Sequence, residues 1–338
     1  MKAAKTCLIA SILIILLGGA YLYYSKDNKE PLPTFINKHT RNKKYIIKKA
    51  GKVIEYADTL EEAIKKAKEN KRSIAINTYN NEWVYTDLKH FMVITDNAIH
   101  DFKSFEEALN YVKNNQYTDI YYKNDKNKIW TTNIELTEKE PLNVPLIKQY
   151  PELPRGCEVT SLGMILNYRN INVDKMTLAK EVKKDTTQYS VQPDGKIRYG
   201  NPYDGFVGDM YNWDNNGYGV YHGPIVELAK NYAGEAAIDL TGLTFEEILY
   251  TVELGNPVWI ITNATFSPLR DSEFKIWHTP TGIVKVTSRL HSVVITGFNE
   301  EKVYINDPLK DKKNIAVNRE SFKRAWEQMG NQAITILE

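Results

Sequence analysis

A turn of proline and glycine that leads directly into an apolar segment constrains the fold of this chain more than any other feature. The turn reads Leu-Pro-Arg-Gly-Cys over residues 153–157. Proline and glycine interrupt regular structure, and the apolar residues that follow have the spacing of a helix buried along one face. These residues are Val159, Leu162, Ile165 and Leu166. The sequence therefore predicts an amphipathic helix with Cys157 in its first turn.

Cys157 is a candidate nucleophile because of this position. Unpaired backbone N–H groups and the positive end of the helix dipole stabilise a thiolate, so we expect the pKa of Cys157 to lie below the ordinary value of about 8.5. The alternative is a buried cysteine that packs as a small hydrophobic residue. This stretch alone leaves both interpretations open.

Composition excludes several classes of function. The 338 residues suffice for two domains, and the net charge of +2 comes from interspersed acidic and basic residues. Without a concentrated basic face, we expect no nucleic-acid partner, and the absence of a Walker-type glycine loop argues against an ATPase. Cys7 and Cys157 are the two cysteines. Cys7 lies in an apolar segment, so an intrachain disulfide is not expected, and a reactive thiol would explain Cys157.

The N-terminal segment predicts export. Lys2 and Lys5 precede an apolar run over residues 7–24. We interpret residues 1–25 as a signal anchor, a single transmembrane helix with the folded domains outside the cytoplasm. Cleavage after Ala20 is the competing interpretation and would make the protein secreted. Residues 26–44 are polar, contain two prolines and read as a linker.

Residues 45–138 contain an internal repeat, in which residues 45–86 align with residues 91–133. Thr-Leu-Glu-Glu-Ala in the first copy corresponds to Ser-Phe-Glu-Glu-Ala in the second, and both are helix capping boxes. The pattern predicts a duplicated ββαββ accessory domain. Its exposed aromatic residues could bind a cell-wall polymer or a partner protein, the domain could be a spacer, or the aromatics could be core residues.

Residues 139–338 supply a base and an orienting group for the thiol. His291 opens a predicted buried strand, and Asp307 ends the strand that follows it. With a hairpin loop at residues 299–301, Asp307 lies opposite Val293 and diagonal to His291, about 7 Å away between backbones. A two-residue loop would place Asp307 on the other face, because side chains alternate along a strand.

Other side chains compete for roles in this domain. Gln149, eight positions before Cys157, could stabilise an oxyanion. His222 and His278 are competing bases. Residues 203–221 are rich in Gly, Asp, Asn and aromatics, and we interpret them as a cleft wall or lid. A calcium site there is a weaker hypothesis, because the spacing of an EF-hand loop is absent.

Several motifs resemble one family when taken together and in order. They are Pro145, Gln149, Pro-Glu-Leu-Pro at 151–154, Gly-Cys-Glu at 156–158, Gly-Phe-Val-Gly at 205–208, Gly-Tyr-Gly-Val-Tyr at 217–221, Trp277 with Thr279 and Pro280, His-Ser-Val at 291–293, and Tyr-Ile-Asn-Asp-Pro at 304–308. They resemble the extracytoplasmic C39-like cysteine peptidases, relatives of the bacteriocin-processing peptidases that cut double-glycine leaders. The resemblance covers about half of the chain.

The resemblance implies a papain-like fold of the α+β class for residues 139–338. It also implies Cys157 as nucleophile, His291 as general base and acid, Asp307 as the group that orients it, and Gln149 in the oxyanion hole. In the transporter-linked relatives the glutamine lies closer to the cysteine. We further expect a substrate-binding group made of Glu158, Tyr221, His222 and Trp277.

The expected reaction is hydrolysis of a peptide or protein substrate, without metal or cofactor. Two other enzymes could use the same groups, a transglutaminase-like acyltransferase and a peptidoglycan amidase. If the three groups are too far apart for catalysis, the domain would be a non-catalytic peptide-binding module of the cell surface.

Overall fold

The computed structural model describes residues 43–95 and 98–338. The chain divides into two compact units, of which the first ends at Leu88 and the second spans residues 89–338. The predicted membrane segment and nearly all of the predicted linker lie outside the described residues. In the part of the chain that is described, no helix is both long and apolar enough to cross a bilayer.

The first unit is a four-stranded antiparallel sheet with one helix. Its elements are β1 (Tyr45–Lys49), β2 (Lys52–Ala57), α1 (Leu60–Glu69), β3 (Ser73–Asn77) and β4 (Glu82–Thr86). The strands are ordered β2-β1-β3-β4. Helix α1 begins after Thr59, whose hydroxyl accepts the backbone N–H of Glu62. Small buried residues on α1, Ala63 and Ala67, let it pack closely against the sheet.

The second unit begins with the same sequence of elements. These are β5 (Phe91–Ile94), β6 (Ile99–Phe102), α2 (Phe105–Asn115), β7 (Asp119–Tyr122) and β8 (Lys128–Thr131), with the strand order β6-β5-β7-β8. Unlike the first copy, this segment shares a hydrophobic core with the rest of its unit, in which Phe91 and Trp130 join Phe245 and Leu337. The indole N–H of Trp130 also donates to Glu247 over 2.8 Å. The predicted accessory domain, residues 45–138, places this copy with the first one, but its apolar residues pack mainly with residues from 236 onward.

The remainder of the second unit contains five further helices among its described residues. They are α3 (Cys157–Tyr168), α4 (Lys175–Glu181), α5 (His222–Ala233), α6 (Phe245–Glu253) and α7 (Arg319–Gln328). Short strands precede the main sheet: β9 (Lys184–Asp185), β10 (Ser190–Val191), β11 (Ile197–Arg198) and β12 (Phe206–Val207). The longer strands are β13 (Ala237–Asp239), β14 (Val258–Asn263), β15 (Phe274–Thr279), β16 (Gly282–Thr287), β17 (Leu290–Phe298), β18 (Lys302–Asn306), β19 (Ile315–Asn318) and β20 (Ala333–Ile336).

A six-stranded antiparallel sheet, ordered β13-β20-β14-β17-β18-β19, forms the centre of this unit. Helix α3 packs on β14 and β17 with one side and against α4 and α5 with the other. Every residue of α3 from Cys157 to Leu166 is therefore buried. The spacing predicted an amphipathic helix, whereas the helix is buried on all sides. Each fully buried Leu, Ile or Val side chain contributes about 1.5 to 3 kcal/mol to stability.

A smaller sheet, ordered β10-β11-β15-β16, lies beside the N-terminal end of α3. This sheet and residues 208–217 enclose a cleft that is also lined by Cys157. The α+β character and the helix-on-sheet arrangement of the site follow from these elements.

Candidate active site

Cys157 is the first residue of α3, and the turn before it is tightly built. The backbone N–H of Gly156 donates to the carbonyl of Leu153 over 3.1 Å. A Cβ atom at position 156 would lie 2.6 Å from the Cβ atom of Leu153, so only glycine fits there. The turn therefore fixes the start of the helix and delivers the thiol to the cleft, where it is 7% exposed.

His291 and Asp307 form a buried pair. The Nε2 atom of His291 lies 2.8 Å from Oδ1 of Asp307, and both side chains are 3% exposed. Burial opposes ionisation of Asp307, but the hydrogen bond and charge of His291, with the backbone N–H of Leu309, lower the pKa of this carboxyl overall. The ionised carboxylate keeps the proton on Nε2, which leaves Nδ1 as the free nitrogen of the ring.

The register of the β17–β18 hairpin explains this pairing. Strand β17 ends at Phe298 and β18 begins at Lys302. The loop therefore spans residues 299–301, as predicted, and is not the two-residue loop considered as the alternative. Phe298 pairs with Val303, and a β-bulge between Ile295 and Gly297 then shifts the register by one residue. Beyond the bulge Val294 pairs with Asn306, so Asp307 follows on the face predicted for it.

Cys157, His291 and Gln149 line a single cleft of about 410 Å³. His291 is the single histidine among the described residues that line this cleft. The competing candidates for the base, His222 and His278, do not line it. The thiol of Cys157 donates its hydrogen bond to a carboxylate oxygen of Glu158, with 3.3 Å between Sγ and Oε2.

Gln149 lies beside the cysteine turn and is almost completely buried. Its Nε2 atom donates to the carbonyl oxygens of Leu153, at 3.2 Å, and Pro154, at 2.8 Å. Its backbone N–H donates to the carbonyl of Pro308, next to Asp307, over 3.0 Å. The side chain therefore ties the turn to the Asp307 loop. Donation to an oxyanion requires one of its amide hydrogens to be released from the turn.

The expectation of a lowered thiol pKa is wrong for this state of the site. Burial raises the pKa of Cys157 well above its usual range, and the adjacent Glu158 carboxylate raises it further. A hydrogen bond with the backbone of Ser292 acts in the opposite direction and is outweighed. The cysteine is thus held as a neutral thiol.

The four residues expected to contact substrate do not lie together. Trp277 lines the cleft, where its ring meets Tyr218 with 4.8 Å between centroids. Tyr221 is buried behind Tyr218, and their hydroxyls are 2.9 Å apart. The imidazole of His222 pairs with Asp239 and does not line the cleft. Glu158 is fully buried behind the thiol and is not a lining residue.

The structure adds residues to the cleft that sequence reasoning did not single out. Most are aromatic or apolar, and its lining contains Lys275 and Arg155 but, among the residues described, no Asp or Glu. The aromatic members are Tyr150, Tyr189, Trp213 and Tyr218. The aromatic density of residues 203–221 was the signal that could have found Trp213 and Tyr218.

Arg155 holds the wall formed by residues 209–216. Its guanidinium donates to the carbonyl oxygens of Asp209, Asn212, Trp213 and Asn215. It also lies over the Trp213 ring, 4.3 Å from the centroid. The Asp209 carboxylate accepts backbone and side-chain hydrogen bonds within the same loop. These hydrogen bonds hold the segment that the sequence analysis considered for calcium binding. Within residues 43–95 and 98–338, no three His, Cys, Asp or Glu side chains form a cluster suited to a metal ion.

Comparison with known proteins gives a family match and several similar proteins. The model of the Peptidase_C39 like family matches residues 141–334. Uncharacterized protein YvpB of Bacillus subtilis (strain 168) is 46% identical over 199 residues, which cover 58% of this chain and 76% of the relative. A crystal structure from Bacillus anthracis, provisionally described as a C39-like peptidase, is 52% identical with a TM-score of 0.56, covering 60% of this chain and 98% of that chain. A double glycine motif protease from an AMS/PCAT transporter, in complex with the leader peptide, is 18% identical with a TM-score of 0.30, covering 60% of this chain and 99% of that chain.

Proposed function

The chain belongs to the Peptidase_C39 like family, and from this premise we propose that it is a cysteine peptidase that hydrolyses peptide bonds. The observation that carries the proposal is the buried His291–Asp307 pair, whose histidine lines the same cleft as a cysteine at a helix N-terminus. Nucleophile, base and orienting group are the parts that thiol-dependent acyl transfer needs.

The mechanism follows from the two nitrogens of His291. Nε2 is committed to Asp307, so Nδ1 takes the proton of the Cys157 thiol as the sulfur adds to the substrate carbonyl carbon. The backbone N–H of Cys157, in the first turn of α3, and the amide of Gln149 would stabilise the resulting oxyanion. His291 then returns the proton to the leaving amine, which gives a thioester. A water molecule, deprotonated by the same nitrogen, hydrolyses the thioester and restores the thiol.

The aromatic and apolar lining of the cleft favours an extended peptide with an apolar side chain. Trp277, Tyr218 and Leu290 offer apolar surface next to the catalytic groups. The lining lacks an acidic side chain among its described residues, so a basic side chain would meet Lys275 and Arg155 without a partner.

The experiment is hydrolysis of a mixed peptide library by the full chain and by two variants, Cys157→Ala and His291→Ala. We expect both variants to lose cleavage, whereas Glu246→Gln, which removes a charge paired with Lys323, should retain it. Cleavage that survives Cys157→Ala would overturn the proposal. Amine incorporation without hydrolysis would indicate the acyltransferase, and muropeptide products would indicate the amidase.

We also propose that the peptidase is exported, with residues 1–25 as its membrane anchor. The basic flank and the apolar run of the sequence support this location. Protease added to intact, wall-stripped cells should digest residues 43–338, and complete protection would refute the location.

For the first ββαββ segment we propose a partner of the cell wall or cell surface. Its exposed Tyr79, at 78% exposure, and its separation as a compact unit support a role outside the catalytic core. Retention of the full chain on isolated cell walls, compared with a Tyr79→Ser variant, tests this role. Equal retention of the two proteins would argue against an aromatic contact.

A further inference from the structure

Glu158 is a buried carboxylate in direct contact with the candidate nucleophile. Its Oε2 atom accepts the thiol hydrogen of Cys157, and its Oε1 atom accepts the backbone N–H of Val220 over 3.1 Å. The backbone carbonyl of Glu158 accepts the indole N–H of Trp259 over 2.9 Å. The side chain is fully buried, so each of its polar atoms has a fixed protein partner.

The surroundings are built to hold this side chain. A Cβ atom at Gly219 would lie 2.2 Å from Oε1 of Glu158, so glycine is required for Val220 to reach the carboxylate. Burial raises the pKa of Tyr218 and of Tyr221, and the charge of Glu158 raises both further, so the two hydroxyls stay neutral. Glu158 is therefore a buried acid whose carboxylate oxygens contact the thiol and the backbone N–H of Val220.

A thiol has a single hydrogen, and this limits what Cys157 can do. While that hydrogen points to Glu158, it cannot be shared with the free nitrogen of His291. If the thiol ionised while Glu158 carried its charge, two negative groups would face each other over a few ångströms in a buried site. Like charges at that distance strongly disfavour each other.

We propose that Glu158 is a positioning residue that controls the protonation of Cys157. Its carboxylate form holds the cysteine as a thiol turned away from His291, and its neutral form donates a hydrogen bond to the thiolate. The proposal deepens the proposed function, since it assigns a proton-linked regulation to the same site.

The proton balance is simple. In the resting form Glu158 is charged, Cys157 is a thiol and His291 is neutral. One proton from solvent binds Glu158, the thiol proton moves to His291, and the product is a neutral carboxylic acid beside a thiolate–imidazolium pair. Asp307 stays ionised throughout and balances the imidazolium. Burial raises the pKa of Glu158 to about 7, so this exchange falls near neutral pH.

The test is alkylation of Cys157 by iodoacetamide in the full chain between about pH 5 and pH 10, since only the thiolate reacts. Mass spectrometry of the Cys157 peptide separates its labelling from that of Cys7. In Glu158→Gln the amide oxygen can still accept from Val220 while the amide nitrogen donates to sulfur at every pH. We expect the thiol pKa to fall by at least about one unit, so that labelling near pH 7 is about tenfold faster or more. The Glu246→Gln control, which removes the same charge outside the cleft, should match the wild type.

Unchanged or slower labelling of Glu158→Gln would overturn the proposal. If that variant does not fold, the wild type alone decides. Its labelling should fall near neutral pH, as Glu158 ionises and the thiolate is lost, and rise again at higher pH, where the thiol itself ionises, whereas a single ionisation curve would refute the control by Glu158. No peptide substrate is involved, so failure of this test leaves hydrolysis by Cys157 standing. Equally, an absence of hydrolysis leaves the labelling result valid.

Discussion

The pH dependence of stability offers a sharp test of how Glu158 is buried. A carboxyl with a pKa of about 7 in the folded state, against an ordinary 4.5, binds its proton more tightly when folded. The stabilisation this group provides is therefore complete below about pH 4.5 and is lost as the pH rises through about 7. Glu158→Gln removes the titrating group, and the variant should not suffer this loss.

The magnitude follows from the two pKa values. Each pKa unit is worth about 1.36 kcal/mol, so the variant should gain about 2.5 kcal/mol relative to the wild type between about pH 5 and pH 8. At low pH the variant can be more or less stable than the wild type, and this value is the baseline. The quantity to compare is how the difference in the free energy of unfolding between the two proteins changes with pH.

Urea denaturation at several pH values measures this change. The transition of the second unit can be followed by circular dichroism, with Glu246→Gln as the matched control that removes a half-buried charge paired with Lys323. A stability difference that stays constant within about 0.5 kcal/mol across this range would show that Glu158 ionises as freely in the folded as in the unfolded chain. The reasoning from burial would then be refuted.

Three further predictions concern the site. Asp307→Asn should keep the fold but lower kcat/KM on the order of 10³-fold, because the amide no longer fixes the proton on Nε2 of His291, and unchanged kinetics would contradict the triad. Trp277→Ala should raise KM for peptides about tenfold while leaving the alkylation rate of Cys157 unaltered, and a change in kcat alone would place it outside substrate binding. Arg155→Gln should open residues 209–216 to limited proteolysis, because four carbonyls lose their donor, and equal resistance to a protease would show that the loop is held by other contacts.

Local pattern predicted much of the catalytic constellation. The turn before Cys157, the buried strand of His291 and the loop at residues 299–301 could be recognised because each depends on neighbours close in sequence. The predicted relationship to C39-like peptidases is confirmed by the family match over residues 141–334.

Contacts between residues that are distant in sequence could not be predicted from local sequence patterns. Nothing near Glu158 in sequence indicates that Gly219 and Val220 enclose its carboxylate, and it is burial of this carboxylate that raises its pKa. His222 was expected in a loop at the cleft, but its partner Asp239 lies on β13 and holds it elsewhere. The bulge near Gly297 could not be predicted from local pattern either, and the register set by the Phe298–Val303 pair would without it place the Asp307 side chain on the other face of the sheet.

The order of the central sheet has a consequence for when this unit can fold. Strand β20 follows every other strand along the chain, yet it pairs with β13 and β14 inside the sheet. The core that holds Phe91 likewise includes Leu337, more than two hundred residues later. During synthesis, the earlier segments emerge long before the strand that completes their sheet. Contacts of such high sequence separation form slowly. We therefore expect the segments before β20 to remain incompletely folded until that strand is available, so that the cleft around Cys157 is assembled only after β20 has been synthesised.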